Sequence, residues 1–478
     1  DMLRYVTYTQ HDSSDQRLFD WVANVNGKPA QLPGGPLAVG LGIEHRRLSG
    51  FFEPDAVVAA GDSADVPALP TRGSYWVNEA YAELRAPLVA DVPGISLLDL
   101  NAAGRVSKYS FLDPELTGKV GGRYKPTDDL VLRASFGQGF RAPSIGELYA
   151  SASRFDAVLS DPCSNFNRAD ANDELRRRCT ALGVPSDGSY SQLNQQISVI
   201  TGGNRKLEPE RSKSINVSLA YSPKQLQHSG FSDRLDIELG YWDIRLDHAI
   251  TALNAQIQID RCVLGGDDTL CSGIKRTGAG SISTFSNALQ NIGGIETRGL
   301  DLTFNFQTKM LPFGRLRAFW LTSWMLDYWE KIPTANGEQK VKLEGRVSGT
   351  PERAFPQLKS NLVLEWMFDQ IGVSLTTRYV HGVAEECRDL QGIPNTCSNP
   401  SVDKNVVSEN KLSPVVYNDL RLVWLPRFDE RLTITAGVNN IFNVDPPACY
   451  SCALNGFNPA TYDIPGVYGY LRAGYQIQ

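Results

Sequence analysis

The sequence is dominated by long segments in which apolar and polar residues alternate one by one. Between Leu300 and Phe306, apolar residues at even positions alternate with Asp301, Thr303 and Asn305. Successive side chains of a β-strand point to opposite faces, so this pattern indicates strands with one apolar and one polar face. The same alternation recurs in residues 215–221, 362–368, 371–379 and 471–477. We therefore predict an all-β fold, and no long amphipathic helix.

The alternation predicts about sixteen strands, two of which, at residues 3–9 and 18–27, are weaker than the rest. Many exceed the roughly five or six residues typical of soluble strands. The clear strands are expected at residues 36–50, 74–87, 94–111, 114–125, 129–140, 207–222, 234–252, 294–308, 314–329, 354–368, 371–386, 415–425, 431–442 and 466–477.

The connections between these segments alternate between short and long, with a near-absent loop at 112–113 as the exception. Membrane β-barrels join their strands by short periplasmic turns and longer extracellular loops. We therefore predict an antiparallel transmembrane β-barrel in preference to a soluble sandwich or a solenoid. If both weak strands form, the two chain ends lie on the periplasmic side. The long connections are expected near 51–73, 141–206, 253–293, 330–353, 387–414 and 443–465.

Composition and motifs exclude several other classes. The 478 residues carry a formal net charge of -6, and no basic block suggests a nucleic-acid partner. No run approaches the ~18 apolar residues that a membrane helix requires. The sequence contains no phosphate-binding loop, no GxSxG and no HExxH motif. We expect no catalytic site, no metal site and no cofactor.

The eight cysteines form four sequence-local pairs, each within a long predicted connection. An even number of locally paired cysteines is typical of disulfides in an oxidising compartment. Free thiols are the alternative, whereas zinc is disfavoured because only one pair has CxxC spacing and no histidine lies nearby. The candidate disulfide residues are Cys163, Cys179, Cys262, Cys271, Cys387, Cys397, Cys449 and Cys452.

Residues 129–149 read DLVLRASFGQGFRAPSIGELY, which resembles a barrel segment of TonB-dependent outer-membrane receptors. Four further segments resemble motifs of the same family and follow in the same order, so the five together are specific. They are LEPERS at 207–212, NIGGIETRGLD at 291–301, GVNNIFN at 437–443, and YDIPG at 462–466 leading into YLR at 470–472.

The motif residues also have structural explanations, and we assign them to barrel architecture in preference to ligand contact. Proline ends or starts strands because it cannot donate a ladder hydrogen bond. Glycine fits at a β-bulge or where two backbone segments lie close together, and an asparagine side chain can hydrogen-bond the backbone of its own turn. The assigned residues are Phe140, Arg141, Ala142, Pro143, Leu207, Pro209, Glu210, Asn291, Gly293, Glu296, Gly299, Asn439, Asn440 and Phe442.

The resemblance implies a 22-stranded barrel with an N-terminal plug and a segment that engages TonB. Residues 1–478 would then be the C-terminal part of the barrel domain, without the plug and the first strands. The implied partners are outer-membrane lipid of a Gram-negative bacterium and, through the N-terminal part, the TonB energy-coupling complex. The implied function is active uptake of a scarce solute: a siderophore, vitamin, glycan or peptide.

Two points stay open at this level. A passive sixteen-stranded porin is the alternative function, since that strand number is itself typical of porins. The ligand-binding residues are unknown. The loop after Phe140 carries candidate contacts, although a loop of this length holds aromatics and arginines by chance: Phe155, Phe166, Arg168 and Arg176–Arg178.

Overall fold

The computed structural model is an all-β protein with short helices in its connections. It describes residues 2, 6–64, 67–166, 173–194, 196–227, 230–334, 337–348, 353–387, 390–401, 406–452, 456–463 and 466–477.

The strands, numbered in chain order, are β1 Ser13–Leu32, β2 Gly35–Glu53, β3 Thr71–Val92, β4 Ile95–Tyr109, β5 Glu115–Lys125, β6 Leu130–Arg141, β7 Ser153–Val158, β8 Gln196–Thr201, β9 Glu210–Tyr221, β10 Ser232–Asp247, β11 Ile250–Thr251, β12 Ile274–Arg276, β13 Ile282–Ser286, β14 Gln290–Asn291, β15 Gly294–Thr308, β16 Arg315–Thr334, β17 Gly337–Lys342, β18 Val347–Ser348, β19 Arg353–Ala354, β20 Leu358–Phe368, β21 Ile371–Val380, β22 Val383–Glu386, β23 Glu409–Leu412, β24 Val415–Trp424, β25 Leu432–Asn439 and β26 Tyr468–Tyr475. The helices are α1 Ala56–Ala60, α2 Ile145–Tyr149, α3 Asp173–Ala181, α4 Lys224–Gln227, α5 Ala255–Val263 and α6 Asp268–Cys271. Within the described ranges, no helix is both long and apolar enough to cross a membrane.

One 16-stranded sheet contains all the long strands. Its order is β1-β2-β3-β4-β5-β6-β9-β10-β15-β16-β20-β21-β24-β25-β26, with β17 paired to β16. Every pairing in this order is antiparallel and joins two strands that follow one another within this sheet, with only strands of the long connections between them, as in an up-and-down barrel wall. The fold class and the approximate strand number predicted from the alternation are confirmed.

Connections at one end of the sheet are short, and nearly all those at the other end are long. The turn between β3 and β4 is Pro93-Gly94, in which Gly94 has φ +77°. Proline followed by a residue with positive φ defines a type II turn, and glycine takes that φ without strain. The long connections are 54–70, 142–209, 248–293, 335–357, 381–414 and 440–467, while residues 110–114 are the short exception on that side.

The first weak strand prediction is wrong, and the second is too short. Of residues 3–9, those that the structure describes, Val6 to Thr9, form no strand, whereas β1 runs the full length from Ser13 to Leu32. β1 forms because β2 pairs with it along almost its entire length, despite its polar first residues. With one strand fewer, β1 starts at the end with the long connections, so the expected placement of the N-terminal end beside the short turns does not hold.

Several predicted strands also end earlier than the alternation suggested. β10 stops at Asp247 and β21 at Val380, and β20 begins only at Leu358. Beyond these points the chain forms small separate strands, among them β11, β19 and β22. The alternation continues into them, but the backbone pairs with loop segments instead of with the main sheet.

The two faces of the sheet differ sharply, and we call them the apolar face and the polar face. Cross-strand partners share a face, and one row on the apolar face runs through Tyr124, Leu132, Leu219, Leu239 and Leu302. Four of these side chains are at least 38% exposed, among them Leu132 at 39% and Leu239 at 47%, and Leu302 is partly buried. A continuous exposed apolar band around a sheet requires a non-aqueous neighbour.

On the polar face, buried carboxylates are each held by two arginine side chains. Glu79 is nearly buried and accepts hydrogen bonds from Arg46 (2.6 Å), Arg105 (3.1 Å) and the Ser107 hydroxyl. Asp99 is likewise buried between two guanidinium groups, those of Arg85 and Arg123. Buried carboxylates are stable only when they are paired and hydrogen-bonded in this way. The polar face is thus the inner wall expected of a membrane barrel.

Three aromatic rings on the polar face lie over glycines on the neighbouring strand. The pairs are Tyr81 with Gly42, Trp242 with Gly299, and Tyr470 with Gly437, each in direct register. A Cβ added at any of the three glycines would overlap the facing ring. The absence of a side chain lets each ring lie directly over the backbone of the adjacent strand, which covers the glycine and fixes the register.

Candidate functional site

The long connections form a folded cap at one end of the sheet, and this cap is the candidate functional site. Two of them, 142–209 and 248–293, fold together into what we call the loop domain. Its sheet has the order β12-β13-β8-β7 and joins the two connections through parallel pairing of β8 with β13. Its hydrophobic core includes Phe166, Val199, Ile259 and Phe285.

An ion pair lies inside the loop domain. The carboxylate of Asp161 accepts two hydrogen bonds from the Arg276 guanidinium, at 2.6 Å and 2.9 Å, and the two side chains are 0% and 2% exposed. The Tyr190 hydroxyl donates to the same carboxylate at 2.9 Å. Burial and the neighbouring Asp161 raise the pKa of Tyr190 to about 12. This triad ties β12 to the segment before the first disulfide, across the boundary between the two connections.

The structure joins the four local cysteine pairs as disulfides, with Cα–Cα distances between 4.9 Å and 5.6 Å. The pairs are Cys163–Cys179, Cys262–Cys271, Cys387–Cys397 and Cys449–Cys452. The first two brace the loop domain. The cysteines of the last belong to a second cluster, in which Val347, Val383 and Leu412 from two other connections pack against them.

Glu385 holds this second cluster together. Its side chain is buried and accepts hydrogen bonds from the Asn410 amide at 2.6 Å and from the backbone N–H groups of Tyr450 and Ser451 at 3.1 Å and 2.6 Å. The CxxC segment is therefore a loop that binds a carboxylate through its backbone. Like the loop domain, this cluster packs several connections together and is braced by a disulfide.

Three of the five sequence motifs meet at the base of the loop domain. The Arg141 guanidinium binds Glu210 at 2.7 Å and Glu147 at 2.8 Å and 2.9 Å. Asn291 of the third motif exchanges two hydrogen bonds with the backbone of Glu208, at 2.7 Å and 2.8 Å. The first motif thus ends β6, the second begins β9, and the third closes the cap over both.

The helix α2 positions Glu147 for this contact. Ser144 and Glu147 form a capping box, with reciprocal side-chain to backbone hydrogen bonds. Burial raises the pKa of Glu147, but the hydrogen bonds from Arg141 and the Ser144 N–H outweigh this and lower it. Sequence reasoning missed Glu147 as a partner of Arg141, although the S-x-x-E spacing of a capping box was visible.

The last two motifs form a similar cluster at the other side of the sheet. The Asn440 side chain binds the backbone of Val444 at 2.8 Å and 2.9 Å and so fixes its own turn. Asp419 accepts from the Asn440 N–H at 2.8 Å and from Arg378 at 3.0 Å. Arg378 also binds Asp463 at 2.6 Å. Asp419 and Arg378 lie outside the motifs, so only the fold connects them.

The other motif residues occupy structural positions. Pro143 and Leu207 are buried, Pro209 directly precedes β9, and Ala142 follows the last residue of β6. The Phe140 ring packs edge-on against the Tyr109 ring, with the two ring centroids 5.9 Å apart. The remaining ones are Gly293 with φ +80°, Glu296 bound to Lys340, Gly299 opposite a bulge in β16, Asn439 at the end of β25, and Phe442, which is exposed.

The candidate ligand contacts in the loop after Phe140 include a core residue, ion-paired arginines and one exposed aromatic residue. Phe166 is a core residue of the loop domain, so it cannot meet a ligand. Arg177 and Arg178 bind Glu174, and Arg178 also binds the carbonyl groups that end α5. Phe155 is 40% exposed. Arg168 lies outside the described residues, and Arg176 pairs with Asp173. Within the described ranges, no three His, Cys, Asp or Glu side chains are grouped as a metal site.

An exposed apolar band, a polar inner wall and a cap of braced loops together define a β-barrel of the outer membrane. The chain belongs to the family described as TonB dependent receptor-like, beta-barrel, whose model matches residues 3–441. Members of this family are receptors and transporters of the Gram-negative outer membrane, and this chain is an outer-membrane protein.

Solved structures of outer-membrane receptors share the fold. The ferric enterobactin receptor PfeA from Pseudomonas aeruginosa, a Q482A mutant bound to enterobactin, has a TM-score of 0.59 at 16% identity. The siderophore receptor PirA from Acinetobacter baumannii and the outer membrane transporter YddB from Escherichia coli both score 0.58, at 12% and 10% identity. The alignments cover 97% of this chain and 54% or 55% of the other chains. This chain thus spans about half the length of the structures it matches. A search of curated protein sequences gave no significant match.

Proposed function

We propose that the complete receptor imports a scarce solute across the outer membrane by TonB-coupled active transport. In this proposal residues 1–478 are its β-barrel domain, and other parts of the receptor close the lumen and contact TonB. The observation that carries the proposal is the cap: five long connections pack into two disulfide-braced clusters above a polar inner wall. Rigid loops bind a ligand with less loss of conformational entropy than free loops.

The polar inner wall suits a lumen that is wet or filled by a polar domain. Its charged groups are held by partners on the wall itself, as in the clamps around Glu79 and Asp99. A passive porin would use a similar wall, but the family match favours the receptor. Among scarce solutes, the neighbours named for enterobactin and siderophores make a ferric siderophore the first ligand to test.

Uptake of radiolabelled ferric siderophores by cells that carry the full gene, in a host lacking its own receptors, tests the proposal. We expect saturable uptake that is lost when the host lacks TonB. Flux that is unsaturable and independent of TonB would contradict the proposal and support the porin. If uptake is saturable, the half-saturation concentration of a Phe155→Ala variant reports whether this exposed aromatic side chain of the cap contributes to ligand binding.

A further inference from the structure

The helix α2 lies against the inner wall at the end of the barrel that carries the long connections, which we call the mouth. Its first and last residues, Ile145 and Tyr149, are one turn apart and share one side of the helix. Opposite them, Gly50 of β2 and Gly73 of β3 are direct cross-strand partners. Gly73 and Glu79 are both odd-numbered positions of the regularly paired strand β3, so this pair of glycines lies on the polar face.

The missing side chains of the two glycines make room for the helix. A Cβ added at Gly73 would overlap the Tyr149 ring, and a Cβ added at Gly50 would lie 3.8 Å from the end of the Ile145 side chain. The wall is thus lowest where α2 crosses it. A helix that packs on glycines at such a place approaches the strands more closely than it could approach a row of larger side chains.

Polar contacts hold Tyr149 and the chain after it against β3. The Tyr149 hydroxyl donates to the backbone carbonyl of Ser74 at 3.3 Å. The Arg205 guanidinium lies over the same ring, 5.0 Å from its centroid, which is a cation–π geometry. Just beyond the helix, the Ser151 N–H donates to the Thr71 hydroxyl oxygen at 3.0 Å. The ring is therefore held by the wall and by the loop domain together.

The helix is also tied to the rest of the loop domain. The N–H groups of Gly203 and Asn204 donate to the carbonyls of Ala150 at 2.9 Å and Glu147 at 2.8 Å. The loop domain is continuous with the wall after β6 and β10 and before β9 and β15, and α2 adds a separate attachment to β2 and β3. A domain held at two separate parts of the wall cannot swing open as a unit unless α2 leaves the glycines.

We propose that the loop domain is a fixed roof at the mouth of the barrel and that Tyr149 is the positioning residue that holds it there. The roof stays docked during uptake, and the solute enters beside it. Its two disulfides and the Asp161–Arg276 ion pair brace it internally. The proposal rests on the function proposed above, since a roof in a fixed place orders the entrance before the solute arrives and so lowers the entropic cost of binding.

Labelling of a cysteine at position 50 tests the docking in the complete receptor on intact cells, without any solute. A Cβ at Gly50 meets only ordinary contacts, the nearest at 3.5 Å, so Gly50→Cys is tolerated and lies beneath Ile145. A membrane-impermeant maleimide should label it slowly. Labelling should become about tenfold faster with Tyr149→Ala, because the local opening exposes the cysteine, and should be slow again with Tyr149→Phe, which keeps the ring.

The matched control is Gly392→Cys, which lies on another connection where an added side chain meets open space. It should be labelled rapidly whether residue 149 is Tyr, Ala or Phe. If Gly50→Cys is labelled as fast as Gly392→Cys in the presence of Tyr149, or if Tyr149→Ala causes no acceleration, the docking is overturned.

Uptake of ferric enterobactin by energised cells tests the fixed position. With Tyr149→Ala the half-saturation concentration should rise about threefold, because an undocked roof must be ordered when the solute binds. The maximal rate should not change, and Tyr149→Phe should restore the natural value. Labelling of Gly50→Cys should stay slow during uptake, whereas acceleration would reveal a lid that opens and would overturn the fixed roof.

Two further outcomes are separable. If the natural receptor shows no TonB-dependent uptake, the proposed function and the part of the roof in it fail, while the labelling without solute still decides whether α2 is docked. Folding of each variant is checked by the shift in gel mobility on heating. If Tyr149→Ala does not fold, Gly73→Ala displaces the ring from the wall side. Its control is Gly137→Ala on the polar face, where the nearest atom to a Cβ is 3.5 Å away.

Discussion

The Tyr470 ring lies over Gly437 on the neighbouring strand, in direct register, so that a Cβ at position 437 would overlap the ring. Gly437 opens one sequence motif and Tyr470 belongs to another. The ring can take this position because Gly437 has no side chain, and the contact joins β25 to β26. The same relationship recurs between Tyr81 and Gly42, which indicates that the fold uses it repeatedly to fix the register of the sheet.

Gly437→Ala should destabilise the sheet by about 1–3 kcal/mol, the usual cost of forcing extra volume into a packed site. The measurement is the urea midpoint of the refolded protein in detergent. Gly474→Ala is the matched control, because the nearest atom to a Cβ there is a backbone oxygen at 3.9 Å. Adding Tyr470→Ser to Gly437→Ala should restore part of the loss. A double variant no more stable than Gly437→Ala would show that the ring is not the cause.

Asp161→Asn should destabilise the loop domain by about 3–5 kcal/mol, because it leaves the buried Arg276 guanidinium without its counter-charge. Hydrogen exchange should accelerate in β7, β8, β12 and β13, while β24 and β25 stay protected. The exposed pair Arg177–Glu174 provides the comparison, and Arg177→Ala should change exchange little. Unchanged protection in Asp161→Asn would mean that the ion pair does not hold the two connections together.

Replacing Cys163 and Cys179 by serine should destabilise the loop domain by about 3 kcal/mol, the cost of releasing a crosslink of this span. The pair is separated by 16 residues and both cysteines are buried. Limited proteolysis should then cut within the 142–209 connection and leave the barrel strands intact. The double serine variant of Cys387 and Cys397 should not expose that connection. Cleavage there in both variants would instead point to a cap that unfolds as one unit.

Acid should loosen the base of the loop domain through Glu147. Its pKa is lowered in the folded protein, so its contribution to stability is present above the unfolded-state pKa and is lost as the pH falls through the folded-state value. We expect the protection of α2 against hydrogen exchange, taken relative to the intrinsic rate at each pH, to fall below about pH 4.3, the ordinary range of a glutamate. Arg141→Gln removes the partner and should raise exchange already at neutral pH, with a weaker dependence on acid. An acid response as large in this variant as in the natural protein would refute the role of Glu147.

The local sequence determined the β-strands, the two faces and the alternation of short and long connections. The strands and their faces follow from the two-residue period of apolar side chains, and the short connections follow from turn residues such as Pro93-Gly94. Both signals are local and do not depend on contacts between distant residues. The local cysteine pairs were predictable for the same reason, since each pair lies within one connection. The full length of β1 was not, because its polar start, Ser13 to Arg17, forms a strand only through its pairing with β2.

The tertiary structure alone decided how the connections assemble. Nothing near Val199 or Phe285 in the sequence states that β8 and β13 pair in parallel across two loops, and the partners Asp161 and Arg276 are 115 residues apart. Such contacts depend on the order and stagger of the strands that carry the loops. The alternation of residues fixes which face a side chain takes, but only the assembled sheet brings distant loop ends close enough for buried charges and apolar side chains to find each other.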